Sequence, residues 1–374
     1  MVDQGTAALD AEPAIGSVAE NGRPSVPWLR IVVGVVVAVV ALVLPYQNPA
    51  ETNAVFTRVL FIAIAAMGLN LLTGFNGQVS IGHGAFFGIG AFTSGILVVD
   101  HGWMLEATIP VAAVLAAAVG VLVGFPALRV KGLYLALITL GLAVLFPRVM
   151  AKYVDGPGGA ALVRPSRKDV SSLIDGMPDD IYRYYVCLAV MVLLFLLAHN
   201  LMRSRPGRAM IAVRDQEVAA STVGVNVSKI KVTTFALSAA YAGVAGSLSM
   251  MIDRVADATN PLIYFQYSIE FLIAVVIGGA ATITGPFLGA ALLVFIRRRT
   301  EGTEAMAPAL LGGALILVVY LLPDGIVGGY RRFVAWLGQR RARPGAGPGD
   351  PGDRPDPLSE PLTPSTVPDP STEG

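Results

Sequence analysis

GLNLLTGFNGQVSIGHGAFFGIG, residues 68–90, sets glycines and small polar side chains into and between two apolar runs at 55–72 and 84–99. At about 1.5 Å of rise per residue, runs of this length approach a hydrocarbon core about 30 Å thick. Each run is therefore a candidate spanning helix. Polar, irregular backbone is tolerated at membrane depth only inside protein or along a wet cavity. On that reading Asn70, Thr73, Asn76, Gly77, Gln78, Ser80, Gly82 and His83 line a substrate pathway. The alternative is an extramembrane turn followed by small residues for close helix packing, as Gly84-x-x-x-Gly88 suggests. His83 has no companions at metal-ligand spacing, which favours a structural imidazole.

Outward from this stretch, further apolar segments fall near 28–44, 108–127, 132–149, 184–202, 232–252, 268–280, 286–296 and 306–322. The expected fold class is all-α: a polytopic membrane protein with about ten transmembrane or re-entrant segments. Composition agrees, with 54% apolar residues, 14% charged and a mean hydropathy of +0.66. The arm before Trp28 carries Asp3, Asp10, Glu12 and Glu20, too long and acidic for a signal-peptide leader, so 28–44 reads as a retained span. Residues 1–27 and 331–374 are expected to be disordered cytoplasmic ends around a 28–330 membrane domain. The last 31 residues hold nine prolines and little that could form a core. A net charge of +1 excludes nucleic acid as a partner, and the lone Cys187 excludes a disulfide framework.

The segment 203–231 carries Arg203, Arg205, Arg208, Arg214, Lys229 and Lys231 against Asp215 and Glu217, so the positive-inside rule makes it cytoplasmic. Within it the sequence predicts a turn at Pro206–Gly207, a short amphipathic helix over about 208–222 and a stop at Gly224. Ile211, Val218 and Val223 lie apart from much of the charge. Such a helix is suited to seat in a groove of a soluble partner.

A second interruption, at 278–289, brings Gly278, Gly279, Thr284, Gly285 and Pro286 between two short apolar segments, and a broken or re-entrant hairpin is plausible there. Paired interrupted segments point to a transporter site. The spans hold almost no ionisable residue. Arg58, Arg148 and Glu270 lie near the ends of their runs, where long side chains can snorkel to the headgroups. With no GxxxxGK[ST] loop, no HExxH and no paired carboxylates in a cleft, the chain encodes neither nucleotide hydrolysis nor metal chemistry, and no cofactor is expected.

GLNLLTGFNGQVSIGHGAFFGIGAF, LRVKGLYLALITLGLAVLF at 128–146 and GRAMIAVRDQEVAASTVGVNVSKIKVTTFALSAAYAGVAGSL at 207–248 resemble permease subunits of branched-chain amino acid ABC importers, specifically the LivM-like member. The 278–290 and 323–328 segments join the resemblance, which covers roughly 55–330. It implies an ABC importer permease fold in the inner membrane, a second LivH-like permease, two ATPase subunits, an external solute-binding protein and a cytoplasmic C-terminus. It also implies a coupling helix that docks on an ATPase, carried here by Gly207, Arg208, Arg214, Asp215, Glu217, Ala219, Ala220 and Gly224. Six spans before the loop place the N-terminus inside, and ten in all leave Arg297–Arg299 outside, an exception to the charge pattern.

The cargo expected from the resemblance is leucine, isoleucine and valine, with urea or a short amide as the nearest alternative. A secondary transporter would need an intramembrane coupling carboxylate and would leave the 203–231 loop unexplained. A membrane-embedded enzyme would need more than His83 near Ser80.

Overall fold

The computed structural model describes residues 27–127, 133–154, 162–166, 171–174 and 176–299, with scattered positions between 312 and 332. The expected terminal arm and tail, Arg129, Lys131, the DGPGGA stretch and most of the 306–322 segment lie outside these residues.

Eleven α-helices follow in chain order: α1 (Pro27–Val43), α2 (Ala50–Leu69), α3 (His83–His101), α4 (Leu105–Ala127), α5 (Leu133–Tyr153), α6 (Asp179–Arg203), α7 (Arg205–Asp215), α8 (Glu217–Thr222), α9 (Val227–Ser249), α10 (Ile263–Gly278) and α11 (Gly285–Arg299). The only strands among the described residues are β1 (Leu162–Val163) and β2 (Ala256–Asp257), an antiparallel pair with Leu162 opposite Asp257. Six helices, α2 to α6 and α9, are long and apolar enough to cross a membrane, and α10 is a shorter apolar helix. The membrane-spanning, helical architecture is as expected; the described residues do not carry the count to ten.

Helix α2 is the centre. Every side chain from Val59 to Leu72 is buried, because α9, α6, α11 and α10 close around a helix that is apolar on all sides. Helix α9 packs against α2, α3 and α4. Where α3, α9 and α4 meet, Ser94 Oγ donates to Ser247 Oγ at 2.7 Å, and Thr108 lies 3.4 Å from the same hydroxyl. Small hydroxyl residues of this kind join membrane helices without burying an unmatched polar group.

Contacts divide the molecule into two ends. At one, Asn53 Nδ2 donates to Asp180, Tyr182 Oη to Glu106, and β1 pairs with β2. At the other, α7 meets the end of α2, and α8 packs against α7 and α9. Successive helices therefore alternate in direction, and the α10–α11 hairpin starts and finishes at the first end. At about 1.5 Å per residue its two arms, 16 and 15 residues long, reach roughly 24 Å. Arg297–Arg299 thus lie opposite the 203–231 loop, as ten segments require, and Arg298 donates there to Thr52 Oγ1 at 3.3 Å.

The helix expected over 208–222 departs from expectation. Residues 205–222 form two helices, not one, because Gln216 is extended (φ −152°, ψ 96°) between α7 and α8. Pro206 opens α7 instead of forming a turn before it, since its fixed φ suits a first helical turn and its missing N–H costs nothing there. Gly224 does end α8, at φ +85°. Val225 N–H reaches the Ala220 carbonyl and Gly224 N–H the Ser221 carbonyl, which satisfies the helix's last acceptors. Asn226 then caps α9 through the Lys229 N–H.

Candidate functional site

Both interruptions singled out in the sequence meet. After Leu69 the α2 backbone widens into a π turn, Asn70–Phe75, the kind of bulge found at functional sites. Asn70 Oδ1 accepts from Ala281 N–H at 2.8 Å and its Nδ2 donates to the Thr282 carbonyl at 2.7 Å. One side-chain amide thereby satisfies donor and acceptor of the turn joining α10 to α11. That turn is strained, with Gly279 at φ +111° and Ala281 at φ +56°, and Thr282 Oγ1 braces it by donating to Gly279 O and accepting from Gly285 N–H. Gly278, Gly279, Gly285 and Pro286 are buried in this junction, whereas Thr284 is exposed.

Residues 76–82 form no helix and run back alongside α2, with Gln78 N–H donating to the Leu72 carbonyl and the His83 ring lying near Gly68. Their burial alternates: Asn76, Gln78, Ser80 and Gly82 face inward, and Gly77 and Val79 are exposed with Ile81 between. Period two places the polar side chains inside, the reverse of a water-facing strand. Gly77 takes φ +72°, and Gly82 sits so close to the Thr139 carbonyl that a Cβ would collide with it. Thr139 Oγ1 accepts from Ile81 N–H at 3.1 Å, and Thr73 Oγ1 donates to Gln78 O at 3.0 Å.

Neither amide atom of Asn76, nor Ser80 Oγ, nor either ring nitrogen of His83 has a hydrogen-bond partner among the described residues. The Ala65 carbonyl lies near the imidazole without reaching hydrogen-bond geometry, and Phe86 and Phe271 meet the ring edge-on. Such groups are normally satisfied by protein or water, so a cluster of them at the break in α2 marks polar space. The polar side chains of the stretch are thus packed inside the protein. Small-residue packing contributes beside it: Gly84 and Gly88 lie against Tyr264 of α10, and Gly84 N–H donates to Ser268 Oγ at 2.8 Å.

Residues of the 203–231 segment attach directly to this break. Arg214 Nη1 donates to the Gly74 carbonyl at 3.1 Å while its Nε holds Asp215 at 2.9 Å, and its side chain covers Gly77. Glu217 pairs with Lys231 at 2.8 Å, and the Lys231 carbonyl accepts from Gln78 Nε2 at 3.3 Å. Gly207 and Ala220 are buried, so they seat α7 and α8 on the chain itself; Arg208, Ala219 and Gly224 are exposed. Val218 and Val223, 72% and 77% exposed, stand out from the helix pair, while Ile211 is half-buried.

Residues 52–320 match the family described as "Branched-chain amino acid transport system / permease component". The chain belongs to that permease family. The high-affinity branched-chain amino acid transport system permease protein LivM of Escherichia coli (strain K12) is 31% identical to it over 315 residues, 78% of this chain and 74% of the relative. LivM of Salmonella typhimurium is 30% identical, over 77% of this chain and 73% of the relative. LivH of Escherichia coli (strain K12), a permease of the same kind of system, is 28% identical over 71% of this chain and 91% of its own length. No solved structure matches. The permease is accordingly a transport subunit and not an enzyme.

Sequence reasoning missed one cluster in this permease. Arg148 is exposed as a snorkelling residue should be, but Arg58 and Glu270 are not snorkelling. Arg58 Nη2 bonds Asp253 Oδ1, beyond the end of α9, and Glu270 Oε1 accepts from Arg297 Nη1 of α11 at 2.6 Å. Bundle-facing charges within spans pair with one another instead of reaching for the headgroups. The signal was an arginine and a glutamate inside apolar runs; their partners, at 253 and 297, could not be read from spacing.

Proposed function

We propose that this permease is the membrane-spanning LivM-like subunit of an ATP-driven importer that carries leucine, isoleucine and valine across the inner membrane. It would act with a LivH-like second permease, two ATPase subunits and an external solute-binding protein. In this reading α1, the α10–α11 hairpin and the 306–322 segment complete about ten segments, and both termini are cytoplasmic. The ends at 1–27 and 331–374 then flank the membrane domain on the inner side.

One observation carries the mechanism: the Arg214 side chain of α7 is bonded to Gly74 in the break of α2. An ATPase that moves the α7–α8 pair therefore pulls on the backbone carrying Asn76, Gln78 and Ser80. ATP-driven closure would reach the substrate pathway through two hydrogen-bonded links, Arg214–Gly74 and Lys231–Gln78, without chemistry on the cargo. The cargo assignment is supported by the named systems of its relatives.

The test is uptake by a strain lacking this chain, compared with its parent. Radiolabelled leucine uptake should fall in the deletion strain and be competed in the parent by isoleucine and valine but not by urea. Loss of urea uptake with leucine uptake intact would move the cargo to the amide class. Uptake persisting after ATP depletion would refute an ATP-driven importer.

A further inference from the structure

Resting on the importer reading above, we propose that the cavity between α2, α10 and α11 is a subsite for the zwitterionic head of an amino acid, on the external side of the pathway. Arg58, Phe61 and Ile62 share one stripe of α2, Tyr267 and Glu270 one stripe of α10, and Arg297 reaches in from α11. With Asp253 they enclose about 100 Å³, room for one such head group. A larger cavity of about 360 Å³ lies further out on α2, between Ala54, Thr57, Asp180, Arg183 and Ile252. Solute arriving from outside would meet it first.

The charge inventory selects the ligand class. Two guanidiniums and two carboxylates balance, so neither a lone cation nor a lone anion is favoured, whereas a molecule carrying both signs finds both partners. Glu270 is the informative group: its side chain is only 16% exposed, Oε1 is held by Arg297, and Oε2 has no hydrogen-bond partner among the described residues. A purely structural ion pair leaves no such oxygen buried. An α-ammonium brings N–H donors for Oε2. The α-carboxylate fits the Arg58 guanidinium, which has five donors and is engaged by Asp253 at Nη2.

The rest of the wall is apolar. Phe61 and Ile62 line it, and the Tyr267 ring lies in a file with Phe87 and Phe271, at 4.8 Å and 6.1 Å between centroids. An aliphatic side chain would rest there without an unmatched polar contact. Urea, uncharged, would leave both ion pairs unanswered.

The experiment uses membrane vesicles from cells producing the full chain with its partner permease and ATPases, without ATP or binding protein. Radiolabelled leucine should bind, and isoamylamine and 4-methylpentanoate, each lacking one charge, should compete at least about tenfold more weakly than unlabelled leucine. Glu270→Gln should weaken leucine binding by about tenfold or more. Independently of any charge change, the cysteine of Tyr267→Cys, at a half-buried position of the cavity wall, should react with a methanethiosulfonate reagent more slowly when leucine is present; the native Cys187 is fully buried and stays silent. Parental affinity in Glu270→Gln, or labelling of Tyr267→Cys indifferent to leucine, overturns the subsite while ATP-driven leucine uptake by the same vesicles, once given ATP and the binding protein, upholds the importer. Absence of ATP-driven leucine uptake by parental vesicles removes both.

Discussion

The Arg214 guanidinium bonds the Gly74 carbonyl, so a residue of α7 holds the very backbone at which α2 breaks. This ties a solvent-facing helix pair to a buried polar stretch through a single side chain. Hydrogen bonds from charged groups contribute about 1.5–3 kcal/mol when buried, and this arginine is about one-third exposed, so the lower part of that range applies. Arg214→Ala is expected to cut solute moved per ATP hydrolysed by about threefold to tenfold, with ATP hydrolysis by the assembled complex retained. Reconstituted complex assayed for both quantities checks this. An unchanged ratio would mean that α7 does not transmit through Gly74.

The second link is an ion pair. Glu217 faces Lys231 of its own chain, so Glu217→Arg is expected to abolish uptake by repelling α8 from α9 rather than by losing a partner contact. Joining it to Lys231→Glu should recover much of the uptake, since the pair is restored with its signs exchanged. Radiolabelled uptake in the two single variants and the double variant gives the answer, with membrane levels followed by immunoblot. No recovery in the double variant would assign Glu217 to the ATPase surface instead.

Much of this was legible in the sequence. Glycines and amides in 68–90 broke an apolar run, and they mark the π turn and the irregular segment that follows. What a linear reading left open was burial. FNGQVSIG puts its polar residues inward at period two, and only the walls supplied by α5, α9 and the α10–α11 turn decide that. The split at Gln216 was hidden because neither glycine nor proline marks it. Arg58 and Glu270 looked like end-of-span residues because the partners that hold them come from distant sequence.

Gly224 ends α8 at φ +85°, where an L side chain costs about 1–2 kcal/mol and proline cannot go at all. Gly224→Ala should therefore keep most uptake, while Gly224→Pro should abolish it with the protein still inserted. Uptake and membrane fractionation of the two variants test the turn. Normal uptake in Gly224→Pro would show that the α8–α9 turn is dispensable for coupling.

Val218 and Val223 offer the exposed apolar surface of the helix pair, and none of the described residues covers them. An ATPase groove would bury them at about 25 cal/mol per Å² of apolar area. Val218→Asp and Val223→Asp should leave the permease in the membrane but strip the ATPase subunits from it during affinity purification. Copurification at the parental ratio would mean that α7 and α8 lie on lipid instead.

Asn76 separates a pathway role from a packing role, because its amide is buried with no hydrogen-bond partner. Leucine has nearly the same size and removes an unsatisfied donor and acceptor, so Asn76→Leu should hold or raise thermal stability by about 1 kcal/mol. Asn70→Leu is the contrast: it strips two hydrogen bonds from the α10–α11 turn and should lower stability by about 2–4 kcal/mol. If Asn76 lines the route, the stable Asn76→Leu variant will nonetheless transport several-fold more slowly, since polar solute and water lose a partner at the break in α2. Thermal melts and uptake measured on the same purified complexes distinguish the cases. A stable Asn76→Leu permease with parental transport kinetics would return residues 76–82 to helix packing alone.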